Sequence, residues 1–202
     1  MWIHGGIGLA VGLMLLVPAY ALDMQSSSTF VSTYGKWVDD KGNISLPKDF
    51  LTRWVFLGTW SVAAKDVERS SEASGHGVAG LHNVYTQPGV VEYFREHGSF
   101  PDGAILIKEL LKGVTSAMTT GTVSRAGARE GWFIMVKDSQ GRFEGNSLWG
   151  DGWGWALFNV ENPVMPVTQN YRFECTGCHL PARETDWVYV DGYPLLKTDS
   201  VP

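Results

Sequence analysis

Cysteine occurs at only two of the 202 positions, and both lie in the pentapeptide Cys175-Thr176-Gly177-Cys178-His179. Two thiols separated by two residues, with histidine following at once, have the spacing of c-type haem attachment. Each thiol adds across one porphyrin vinyl group, and the adjacent imidazole then serves the iron as an axial ligand. A redox dithiol has no need of that histidine, and a structural zinc site needs a second pair of ligands. No second cysteine pair exists. The motif therefore demands a fold able to enclose a flat apolar macrocycle. An apolar content of 44%, with nine tryptophans, supplies the bulk for such an enclosure.

The N-terminal residues agree with that demand. Ile7 to Val17 is an apolar run, and Pro18-Ala19-Tyr20-Ala21 closes it with an A-x-A cleavage pattern. The run is short for a bilayer span, and its flank carries little positive charge, only the terminal amine and His4. Residues 1–21 read as a signal peptide, 22–40 as a polar N-terminal arm and 41–202 as one haem domain. Export to the periplasm is expected, because c-type haem is attached outside the cytoplasm. A net charge of −5 argues against nucleic acid as a partner and suits a basic redox protein.

Hydrophobic patterning predicts a mainly β, α+β domain: an antiparallel sheet with a few short helices and the haem attached near the C-terminus. Leu46 to Phe50 reads as a turn or short helix leading into a buried strand at Trp54–Gly58. Arg69–Gly80 is small and polar and reads as a surface loop. Leu81–Gln87 reads as a strand. A short helix then buries Val90, Val91 and Phe94 and ends before Gly98. Asp102-Gly103 marks a turn into the clearest strand, Ala104–Leu111. The stretch Gly113–Gly131, rich in Gly, Ser, Thr and Ala, reads as a long loop. Trp132–Lys137 and Trp153–Val160 are two further strands, and Asp186–Val190 reads as extended.

Only 23 residues follow His179, and none is methionine. Met118, Met135 and Met165 lie upstream and read as core filler. The sixth iron position is thus open to a ligand or filled by something other than the usual thioether. Strand alternation puts Lys108 on the face of Ala104, Leu106 and Leu110, while the other face is also largely apolar. Lys108 is either an edge lysine reaching water or a part-buried amine of lowered pKa, able to act as a nucleophile. His82, within the strand 81–85, is either an ordinary satisfied histidine or a distal proton donor or sixth ligand. His76 and His97 read as solvated.

The chain resembles the cytochrome P-460 family, which includes the c′-beta cytochromes. The likeness spans residues 41–195. It is carried by L-P-K-D-F and W-V-F-L-G-T within 46–59, H-N-V-Y at 82–85 and G-S-F-P-D-G-A-I-L-I-K-E-L at 98–110. V-K-D-S at 136–139, the C-T-G-C-H motif, and the closing D-W-V-Y and Y-P-L-L complete it. The resemblance implies an antiparallel β fold, a homodimer, one covalent haem c and five-coordinate iron held by His179. It also implies that Lys108 is the family lysine that bonds to a porphyrin meso carbon in the hydroxylamine-oxidising members.

Two positions depart from those members. His82 stands where they carry a distal arginine, and Phe133 where they place a proton-relaying glutamate. Lys108 therefore points to hydroxylamine oxidation, with electrons passed to a redox partner cytochrome. Phe133 points instead to binding of nitric oxide or a similar gas without catalysis. A third alternative is a bis-histidine electron carrier with His82 on the iron.

Overall fold

The computed structural model describes Met1 and residues 30–64 and 77–197. The expected signal peptide and most of the loop expected at 69–80 lie outside the described residues. Six strands form a single antiparallel sheet: β1 Val55–Ala63, β2 Val78–Thr86, β3 Ile105–Met118, β4 Gly121–Lys137, β5 Trp149–Gly150 and β6 Trp153–Asn159. Their order across the sheet is β1-β2-β3-β4-β6-β5, with neighbours antiparallel throughout. The helices are short: α1 Tyr34–Trp37, α2 Phe50–Arg53, α3 Val90–His97, α4 Tyr171–Glu174 and α5 Thr176–His179. Three 3-10 turns follow, Leu180–Thr185, Val190–Gly192 and Pro194–Leu196. The mainly antiparallel fold with few helices is the one the sequence predicts.

Successive side chains of a strand point to opposite faces, so each central strand serves two cores. Ile105 and Ile107 of β3, Ile134 and Val136 of β4 and Phe158 of β6 pack on one face, beneath Val38, Ile44 and Phe50. Val84, Leu106, Met135 and Trp155 pack on the other, against α3 and the C-terminal segment. Being covered on both sides explains the nearly unbroken apolar runs of β3 and β4. Helix α3 lies where Val90, Val91 and Phe94 place it, and the left-handed Gly98 closes it with its N–H on the Phe94 carbonyl at 2.8 Å. Thr86 Oγ1 donates to the Ile105 carbonyl at 3.0 Å, and Gln87 Oε1 accepts from Ile105 N at 2.7 Å. Both buried polar groups are thereby satisfied at the turn that feeds β3.

Four expectations are corrected. Gly113–Gly131 is not a loop: β3 and β4 run on as a paired hairpin to Met118 and Gly121, with Thr115 Oγ1 and Ser124 Oγ 2.8 Å apart. This extension is largely solvated on both faces, so it shows no hydrophobic alternation. β1 is an edge strand in which only Leu57 is buried, rather than a buried strand. Asp186–Val190 is not extended, because Asp186 and Trp187 both adopt positive φ and break the run. Met118 and Met165 are exposed rather than core filler. The last part of the expected arm, by contrast, packs into the domain. Val38 is buried and bridges Ile44, and the Tyr34 ring stacks on Phe143 at 6.3 Å.

Candidate haem-binding site

The cysteine motif sits at the junction of two helical turns. Asn170 caps α4 by accepting from Arg172 N at 3.0 Å. Glu174 Oε1 accepts from the N–H groups of Gln169 and Asn170 at 2.9 and 2.8 Å, so that oxygen is committed to the start of this helix. Cys175 links α4 to α5, and Cys178 and His179 follow three and four residues on, where helical spacing brings side chains to one face. Both cysteines are free thiols; Cys175 is buried and Cys178 exposed. Thr176 donates back to the Arg172 carbonyl at 2.7 Å.

His179 is held on one nitrogen. Its Nδ1 lies 2.7 Å from the Trp187 carbonyl oxygen. A carbonyl only accepts, so Nδ1 carries the hydrogen and Nε2 keeps its lone pair for a metal. Burial lowers the His179 pKa, and the Lys108 ammonium adds to that, against the bond to Trp187. The imidazole is therefore neutral at neutral pH. Trp155 meets the ring edge-on, with centroids 5.0 Å apart.

Cys175, Cys178 and His179 open onto a cavity of about 510 Å3 between the C-terminal segment and the sheet. Its sheet wall presents Trp60 from β1, His82 and Val84 from β2, Leu106 and Lys108 from β3, and Phe133 and Met135 from β4. All the site residues read from the sequence thus meet in one space. Lys108 comes from the middle of the sheet, not an edge, paired with Val84 on one side and Phe133 on the other. Its Nζ sits 4.6 Å from the Phe133 ring centroid. Burial lowers its pKa, offset only by the two cysteine sulfurs acting as anions. Thioether formation would remove that offset. His82 is also lowered, by burial first and then by Lys108, with Glu130 opposing. His97 is solvated as expected, with Nδ1 donating to the Tyr93 carbonyl at 2.9 Å.

Sequence reasoning missed the groups that orient His179. Trp187 acts through its backbone, and Trp155 read only as strand. Lys137 and Asp186, 2.6 Å apart, stand in the V-K-D-S and D-W-V-Y segments but are 49 positions apart in the chain. Met135 alone of the three upstream methionines expected in the core reaches the cavity wall.

The donor set fits haem. Two thiols and a neutral, correctly protonated imidazole face one predominantly apolar cavity of cofactor size. Among the described residues no group of three or more His, Cys, Asp and Glu side chains could hold a metal ion on its own. Fold and site together define a c-type haem cytochrome built on an antiparallel sheet. A family profile described as Cytochrome P460 matches residues 47–190, and the chain belongs to that family. The family implies haem c as cofactor. No curated protein matches the chain.

Proposed function

We propose that this cytochrome is a periplasmic, mono-haem oxidoreductase that converts hydroxylamine to nitrogen oxides and passes the electrons to a partner cytochrome. The observation that carries the reading is Lys108, an amine buried in the same cavity as the cysteine motif with its pKa lowered by that burial. Cys175 and Cys178 would tether the haem, and His179 would ligate its iron. The haem, when bound, supplies the substrate-binding metal and the electron sink. Lys108 is placed to bond through its amine nitrogen to a porphyrin carbon, a step that would replace a ring C–H and an N–H bond by C–N, release two protons and two electrons to an external oxidant, and alter the electronics of the iron.

The chain's own residues supply the rest. Leu106, Phe133 and Met135 make the sheet side of the cavity apolar, where electrostatic interactions are stronger than in water. Oxidising hydroxylamine releases protons, and general base help is commonly worth about 10²–10⁴ in rate. Glu174 is the single carboxylate among the described residues lining the cavity, and its Oε1 accepts two backbone N–H groups. Proton acceptance is assigned to His82, an imidazole in the cavity wall whose pKa burial lowers. The apolar run 7–17 with its A-x-A pattern supports export. The half-exposed Phe56 on edge strand β1, outside the cavity lining, supports a homodimer.

One observation favours a second reading. Phe133 lies directly opposite Lys108 and makes that wall apolar, which suits reversible binding of nitric oxide without turnover. A steady-state assay of the haem-loaded protein with hydroxylamine and an external oxidant separates the two. Turnover supports the oxidase. A tight nitrosyl complex without turnover supports the gas binder, and a low-spin resting spectrum would instead put His82 on the iron.

A further inference from the structure

Asp186 and Trp187 are consecutive non-glycine residues with φ of 56° and 65°. Left-handed backbone is unfavourable for an L-residue, so a bend of two such residues has to be held. The Asp186 carboxylate is the holding point. It accepts from Lys137 Nζ at 2.6 Å, from Phe100 N at 3.1 Å and from Trp153 Nε1 at 3.3 Å. Those donors come from the end of β4, the segment after α3 and the start of β6. The ion pair is largely buried, its side chains 11% and 15% exposed, and Lys137 Nζ also lies 4.9 Å from the Trp153 ring centroid. Neither charged side chain lines the cavity. The residue after Asp186 is the one whose carbonyl meets His179 Nδ1 at 2.7 Å.

We propose that the Lys137–Asp186 ion pair is a positioning device for His179: it locks the left-handed bend that aims the Trp187 carbonyl at the imidazole. This rests on the haem reading of the site. A firmly held acceptor draws on the Nδ1 hydrogen, fixes the ring orientation and makes Nε2 a stronger donor to iron. Strand β4 then serves the site twice, through Phe133 in the cavity wall and through Lys137 behind His179. The sheet thereby sets the basicity of a ligand carried by the C-terminal segment.

The test compares haem-loaded wild type with Asp186→Asn, with the double variant Lys137→Met/Asp186→Asn, and with Lys137→Arg. Asparagine tolerates the left-handed conformation, and the double variant leaves net charge unchanged, so a general electrostatic effect is separated from positioning. The readouts are the iron–histidine stretching band of the ferrous protein and the reduction potential. The expected result is a downward shift of the band and a rise in potential in Asp186→Asn and in the double variant, with wild-type values in Lys137→Arg. Wild-type band and potential in both disrupted variants would overturn the proposal. If Asp186→Asn does not accumulate, the double variant decides alone. A wild type without covalent haem removes the underlying reading, a result distinct from haem-loaded variants that behave as wild type.

Discussion

Lys108 and Phe133 face each other across the β3–β4 ladder, with the lysine Nζ 4.6 Å from the centre of the phenylalanine ring. A ring face attracts a cation but gives it no counter-ion. The ammonium form is therefore penalised by burial, and the folded-state pKa of Lys108 lies below its ordinary 10.5. Between that lowered value and 10.5 the unfolded chain binds more protons than the folded one, so stability rises with pH across the window. The urea midpoint of the haem-free wild type should therefore gain on that of Lys108→Met as pH rises toward 10. Parallel curves for the two proteins would refute an uncompensated Lys108.

His82 obeys the same sign in a lower window. Its folded pKa is depressed below 6.5, mainly by burial. The stability tied to its neutral form is complete above 6.5 and is lost as pH falls from 6.5 toward the folded value. His82→Asn should flatten the acid side of the stability profile. In the haem-loaded protein the hydroxylamine-dependent rate should fall as His82 takes up its proton, and His82→Asn should cost about 10²-fold or more at neutral pH. A rate unaffected by the substitution would remove His82 from proton transfer.

On the face away from the cavity, the buried Glu109 carboxylate receives Arg129 through Nε and Nη2, both at 2.6 Å. Removing the part-exposed arginine leaves a buried carboxylate without its partner, which costs about 1–3 kcal/mol. Arg129→Ala should lower unfolding free energy by about 2 kcal/mol, with a smaller loss in Glu109→Gln. Neither should alter the visible spectrum of the haem-loaded protein, since both residues belong to the opposite side of the sheet. Equilibrium denaturation and an absorbance spectrum check both statements.

The two thiols should differ in reactivity before haem is attached. Burial, with Glu174 and Cys178 adding to it, pushes the Cys175 thiol up to about 11. Cys178 is exposed, whereas Cys175 is 7% exposed. The thiolate is the reactive species, so iodoacetamide at pH 8 should label Cys178 well before Cys175 in the folded, haem-free protein. Mass spectrometry of the time course reads this directly. It also implies that both thioethers form most readily before the domain closes; equal labelling rates would contradict that.

Much of the site was legible because its chemistry is local. Cys175, Cys178 and His179 form one contiguous motif, and strand alternation alone puts Lys108 on a definite face of β3. Helix α3 announced itself through Val90, Val91, Phe94 and the terminal Gly98. The β3–β4 extension did not, because strands solvated on both faces carry no period-two signal and Thr, Ser and Gly read as turn formers. Asp186–Val190 misled for the opposite reason. Trp, Val and Tyr favour strands, but the Asp186 carboxylate is captured by donors from β4, β6 and the segment beyond α3. Partners that far apart along the chain leave no local pattern, which is why the groups orienting His179 came only with the fold.

Every prediction for the haem-loaded protein requires a haem bound covalently by Cys175 and Cys178 beside His179 within this sheet-walled cavity. The most direct measurement is proteolysis of protein secreted by a host competent in cytochrome assembly, with mass and absorbance followed for each peptide. The expected product is a haem-bearing peptide containing residues 175–179, joined through the same haem to a second peptide containing Lys108, a link that Lys108→Ala abolishes. A colourless protein whose Cys175 and Cys178 are recovered unmodified would contradict it.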